Sequence, residues 1–145
     1  DILYKYLRQR PQILADEIAK EHEVVYLCLK GIPYNARNPI VKKIAYLIGS
    51  FWGVSWVVGF LQYLSYREDG VDLVFTESIH AVKFLRILKP KKIWFDYIDD
   101  AFAFTKLPKY CREDFQWLKN HADEISSSSE VLQQQVGGDI IPNGV

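Results

Sequence analysis

The stretch Lys92–Asp100, KIWFDYIDD, decides how the chain is read. Ile93, Trp94 and Phe95 form a short apolar run of the kind that makes a buried central strand, and it leads straight into three carboxylates, Asp96, Asp99 and Asp100. A strand buried on both faces stops being apolar where it emerges. In an open α/β sheet that carboxyl edge is also where the crevice opens and polar ligands are held. The acids therefore mark a candidate binding rim, provided that neighbouring segments supply parallel strands and helices.

They do so by pattern. Upstream, Asp72–Thr76 (DLVFT) reads as a second buried strand, and Ser78 is placed to cap a helix through about Leu88, with Ile79, Val82, Leu85 and Leu88 on one side. Lys83, Arg86 and Lys89 complement the negative end of that helix before Pro90 stops it. Downstream, Cys111, Phe115, Leu118 and Ala122 recur at helical spacing and predict a helix over 109–121. Glu124–Ser127 reads as a thin strand, and a serine with Glu130 suggests a capping box for a helix over 129–136. Gly137 and Gly138 end it before a last short strand at 139–141.

At the amino-terminal end, Ile2–Tyr4 reads as the close of a first strand. Pro11 suits the first turn of a helix carrying Leu14, Ala15, Ile18 and Ala19 inward, and Glu23–Leu29 reads as the strand that follows. Strand and helix alternate along the chain. The expected fold is α/β, a Rossmann-like parallel sheet with helices on both faces, built by residues 1–145 as one domain.

Between these halves, Ile44 to Tyr66 runs for 23 residues without a charge, long enough to cross a bilayer. A span would separate strands that the β-α-β pattern puts in one sheet. Gly49, Gly53 and Gly59 weaken a long helix, and Trp52 and Trp56 lie mid-segment, not at the two interfaces. A buried or half-buried helix pair is the leading expectation. A helix dipping into one leaflet is the next, with Trp52, Trp56 and Phe60 as its membrane-facing side chains.

The bulk numbers narrow the classes. With 49% apolar residues, 25% charged and six prolines in 145, the chain is globular. Eighteen basic residues balance eighteen acidic ones, so no global field draws in nucleic acid or an anionic membrane, and only local patches stay open. Cys28 and Cys111 show neither metal-ligand spacing nor a disulfide framework, which points to a reducing cytoplasmic compartment and to no metal. The chain lacks methionine and starts at Asp1 within a strand-like stretch, as expected of part of a longer protein. Neither GxGxxG nor GxxxxGK[ST] occurs, so no cofactor is expected.

Carboxylates at 96–100 can hydrogen-bond sugar hydroxyls or take a proton from one, the alternative being a solvated turn. Thr76 and His80 belong to the same carboxyl edge, whereas His22 and His121 read as helix-end residues. Arg8 and Arg10, just after the first strand, either face a phosphate in that crevice or face solvent. Ser126–Ser129 reads as a capping segment and not as a nucleophile.

These residues also carry a resemblance. RQRPQILADEIAKEHEVVYL (8–27), VDLVFTES (71–78), the Tyr-x-Asp-Asp of 97–100, HADEI (121–125), SSSSEVL (126–132) and IIPNGV (140–145) resemble, in the same order, the amino-terminal domain of GT-B glycosyltransferases of the family 4 type. The resemblance covers the chain except about 33–66. It implies the acceptor-side half of a two-domain enzyme moving a sugar from a nucleotide-sugar to a polysaccharide or lipid-linked acceptor. The donor is then held mainly by a carboxyl-terminal domain absent from these residues, so the piece alone is inactive.

In that picture Asp99, Asp100, Thr76 and His80 meet the acceptor and Arg10 lies on the donor-phosphate side. The glycine-rich turn of many members is replaced by Lys5-Tyr6-Leu7-Arg8. The implied setting is cytoplasmic, with peripheral contact at the inner face of the membrane. The alternative is a non-catalytic membrane-docking or interaction domain.

Overall fold

The computed structural model describes residues 10–24, 64, 70–103 and 107–142. The chain divides into two compact units, Asp1–Asp69 and Gly70–Val145, and each is described by itself.

In the first unit, α1 spans Arg10–Ile18. Pro11 occupies its first turn, where a missing N–H leaves no hydrogen bond unmade. Pro11 and Gln12 are its buried residues, Leu14, Ala15 and Ile18 are half-buried, and Ala19 and Ile13 are exposed. The inner face is thus rotated toward the helix start relative to the expected Leu14–Ala15–Ile18–Ala19 stripe. The expected strands at Ile2–Tyr4 and Glu23–Leu29 lie outside the described residues except for Glu23 and Val24, as does the apolar segment 44–66 except for Leu64.

The second unit is a four-stranded parallel sheet. In chain order it comprises β1 (Leu73–Thr76), a single 3-10 turn (Ile79–Ala81), α2 (Val82–Leu88), β2 (Lys92–Tyr97), α3 (Lys109–His121), β3 (Glu124–Ser127), α4 (Glu130–Val136) and β4 (Asp139–Ile140). The strands lie side by side in the order β1-β2-β3-β4. The Rossmann-like α/β class is therefore the one this unit adopts. Right-handed crossovers between strands that follow one another in a single direction place every connecting helix on the same face. Ring contacts agree: Phe115 of α3 packs on Phe95 at 6.3 Å and on Tyr97 at 5.2 Å.

That face holds the core. Ile93, Phe95 and Tyr97 alternate along β2 and are buried, as are Val82 and Leu85 of α2, Cys111, Phe115 and Leu118 of α3, and Leu132 and Val136 of α4. Each such side chain contributes about 1.5–3 kcal/mol relative to exposure.

Local chemistry sets the element ends. Ser78 Oγ accepts from His80 N at 3.3 Å and Ala81 N donates to Ser78 O at 3.1 Å, so the expected helix opens as a tight 3-10 turn before α2 begins. Lys89 closes α2 in the left-handed conformation (φ 50°, ψ 57°), its N–H donating to Leu85 O, and Pro90 prevents continuation. Helix α3 has the expected bounds. For α4 the cap is Ser129, whose Oγ accepts from Leu132 N at 3.4 Å. Glu130 is then the first helical residue, so it complements the helix dipole and does not complete a capping box. At Gly138 (φ 75°) an added Cβ would stand 2.1 Å from Ile125 O, so only glycine lets the chain pass this close to β3.

Candidate functional site

The carboxyl ends of β1 and β2 meet at one rim, because Thr76 pairs with Phe95 in the parallel register. Side chains alternate there. Thr76 points to the helix face, is buried, and its Oγ1 accepts from Ser78 N at 3.1 Å, which turns the chain out of β1. Phe75 and Trp94 lie on the opposite face, ring edge to ring face at 5.1 Å. Asp96 and Ser126, paired in register between β2 and β3, share that face.

Asp96 is fully buried, and its Oδ1 accepts from Ser126 Oγ at 2.6 Å. Ser126 Oγ in turn accepts from Trp94 Nε1 at 2.8 Å. The sequence pattern placed Asp96 at the point where β2 emerges. In the fold β2 runs on to Tyr97, close to the Ile93–Ile98 read from sequence, and Asp96 stays inside it, which is possible because β3 brings it a hydroxyl.

Glu77 follows Thr76 and is the residue that sequence reasoning passed over. It is half-buried, and its Oε2 is enclosed with no hydrogen-bond partner among the described residues. Burial pushes its carboxyl above the usual glutamate range, and the nearby charges of Asp96 and Asp99 push the same way. The only signal in sequence was an acid directly after a buried strand, which reads equally well as a solvated loop residue.

Asp99 is exposed and stands close enough to Glu77 for its charge to be felt there. Asp100 is engaged. Its Oδ1 accepts from Phe102 N at 2.9 Å and from Tyr97 OH at 3.2 Å, and its Oδ2 from Gln135 Nε2 at 3.1 Å. The Phe102 bond, an Asx turn, leads the causes that hold its carboxyl below the ordinary aspartate range. Burial, with help from Asp100, pushes the Tyr97 phenol up to about 12, so it stays a donor. Asp100 thus ties the loop after β2 to α4. His80 is half-buried in the 3-10 turn at the same rim.

No family model, curated protein or solved structure matches this chain. The site therefore rests on its own geometry. Thr76, His80, Asp99 and Asp100 all belong to the carboxyl edge of this one sheet, together with Glu77 and Asp96. Arg10 belongs to the other unit, and Trp52, Trp56 and Phe60 lie outside the described residues.

The serine run is structural throughout. Ser126 holds Asp96, Ser127 is fully buried, Ser128 Oγ donates to Ile98 O at 2.7 Å, and Ser129 caps α4. His121 Nδ1 lies 2.8 Å from Trp117 O at the end of α3, where its ring stacks on that tryptophan. Among the described residues no group of three or more His, Cys, Asp or Glu is arranged to hold a metal ion. Among them, too, no helix is long and apolar enough to cross a membrane.

Proposed function

We propose that the chain is the acceptor-side, amino-terminal domain of a GT-B glycosyltransferase that moves a sugar from a nucleotide-sugar to a saccharide or lipid-linked acceptor. The observation that supports this is the rim itself: Glu77, Asp96 and Asp99 crowd the carboxyl edge of adjacent parallel strands, the place where such sheets hold polar ligands. A partly enclosed carboxyl that keeps its proton more readily than usual donates to, or accepts from, a sugar hydroxyl. Asp99, exposed beside it, supplies an accepting carboxylate. Asp100 orders the loop that carries Asp99. His80 lines the rim, and Arg10 is assigned to the donor-phosphate side by its place just after the first strand-like stretch and by the resemblance. In this reading the nucleotide-sugar sits mainly on a further, carboxyl-terminal domain, and the setting is cytoplasmic with peripheral membrane contact.

The test is titration of the 145-residue chain with oligosaccharide acceptors, followed by amide NMR shifts. The reading expects saturable shifts at 76–80 and 96–100 that disappear in Asp99→Asn. It fails if a panel of saccharide acceptors leaves those amides unmoved, and full-rate sugar transfer by this chain alone would refute the division of labour.

A further inference from the structure

The carboxyl end of the sheet carries cations as well as acids. Helix α3 starts there, because it returns the chain from the end of β2 to the start of the parallel strand β3. Its first residues are Lys109, Tyr110, Cys111 and Arg112, and its first turn holds no acid. A helix start is the positive end of the helix dipole, where acidic side chains are stabilising and lysine or arginine is not. Neither cation serves the helix.

Lys109 and Arg112 stand three positions apart on one side of α3, and both are exposed. Among the described residues neither forms an ion pair, not even with the exposed Glu113 of the same helix. Arg112 is held all the same. Its guanidinium lies over the ring of Phe102 at 5.1 Å, and that ring packs edge to face on Phe115 at 5.4 Å. Phe102 N donates to Asp100 Oδ1 at 2.9 Å, so the cation rests against the loop that carries Asp99 and Asp100. Lys83 lies over the ring of Tyr110 at 5.2 Å, but its charge is felt by the buried Asp114 and is offset there.

We infer that the acceptor is an anionic saccharide, whose carboxylate or phosphate is held by Arg112 and Lys109 while the rim carboxylates hold its hydroxyls. This rests on the glycosyltransferase reading. A guanidinium offers two parallel N–H donors to a carboxylate or a phosphate, and stacking on Phe102 limits the freedom it loses on binding. Glu77, Asp96 and Asp99 repel an anion, so an anionic group needs cations of its own beside them. A neutral sugar leaves Arg112 and Lys109 unmatched. The diphosphate of a nucleotide-sugar is another source of phosphate, but the ring under Arg112 belongs to the loop assigned to the acceptor.

The experiment is titration of the 145-residue chain, followed by amide NMR shifts, with pairs that differ in charge: oligogalacturonate against its methyl ester, and glucose 6-phosphate against glucose. Inorganic phosphate and UDP are titrated alongside. The charged member of at least one pair is expected to bind about tenfold tighter or more, to shift 99–102 and 109–112, and to lose its advantage as salt screens it. Arg112→Gln is expected to lower affinity for that charged member about tenfold and for its neutral partner far less. Arg112→Lys keeps the charge without the fork and recovers part of the loss. Unshifted β2 amides in each variant show that the fold is intact, and Lys109→Gln repeats the test without touching the Phe102 contact. Equal binding within both pairs overturns the inference and leaves the acceptor reading standing; no binding by any saccharide overturns both. Tighter binding of UDP overturns it by moving the two cations to the donor side, and tighter binding of inorganic phosphate does so by leaving the sugar out.

Discussion

Ser126 Oγ donates to Asp96 Oδ1 at 2.6 Å and accepts from Trp94 Nε1 at 2.8 Å, joining two strands through residues that are 30 or more apart in sequence. Asp96 and Ser126 are 0% and 1% exposed, so no solvent replaces that hydroxyl if it is removed. Ser126→Ala is expected to cost about 1.5–3 kcal/mol, the range for losing a bond to a charged group. Trp94→Phe leaves the serine–aspartate bond in place and is expected to cost about 1 kcal/mol. Urea unfolding measures both; equal losses would mean that the serine does not support Asp96.

Glu77 makes stability depend on pH in a defined direction. Its folded carboxyl titrates above the unfolded one, first through burial and then through Asp96 and Asp99. As pH rises past the ordinary glutamate value of about 4.3, the unfolded chain gives up this proton first, so the contribution is full below that value and is lost as pH passes the raised folded one. Glu77→Gln is expected to gain on the parent protein as pH rises through that window. Parallel stability curves from pH 4 to 7 or so would show that the carboxyl is not enclosed as described.

Asp100 works in the opposite sense. Its carboxyl is held low, chiefly by the Phe102 N–H, so its contribution is present above the ordinary aspartate range and fades as pH falls through the depressed value. Because the group is only half-buried, Asp100→Ala is expected to cost no more than about 1 kcal/mol overall. The local effect is larger. Amide exchange at Phe102, whose N–H donates to the Asp100 carboxylate, is expected to accelerate while exchange in β2 stays slow.

The two glycines after α4 separate conformational strain from collision. Gly137 (φ 81°, ψ −158°) has open space where a Cβ would go, so Gly137→Ala is expected to cost about 1–3 kcal/mol for a backbone conformation essentially reserved for glycine. Gly138 (φ 75°) has Ile125 O at 2.1 Å from that position, so Gly138→Ala must also displace β3 and is expected to cost at least ~3 kcal/mol. Thermal melts of the two variants rank them; a smaller loss at Gly138 would contradict the close passage.

Much of this unit was legible because its signals are local. The 3.6-residue recurrence of Cys111, Phe115 and Leu118 located α3 to the residue, and Pro90, Gly137 and Gly138 marked where helices had to stop. The site was legible only by position. Apolar residues running into acids marked the rim, but that Asp96 is inside and Asp99 outside depends on Ser126, which arrives from β3 with no trace in the neighbouring sequence. Asp100 looked like half of a ligand-facing pair; its bonds to Phe102 and Tyr97 are local, and its bond to Gln135 is set by how α4 packs. Glu77 was hidden by its setting between Thr76 and Ser78, two residues whose turn and cap roles are easy to recognise.

Strands that stand side by side in the order in which they are synthesised have a kinetic meaning. Each of β2, β3 and β4 docks on the strand that left the ribosome immediately before it, after a connection of only one helix and its turns. Among the described residues no strand waits for a distant partner, so the closure entropy is spent in short instalments. A nascent chain of this design can lay down its sheet by successive addition, and the carboxylate rim is assembled as soon as β3 delivers Ser126 to Asp96.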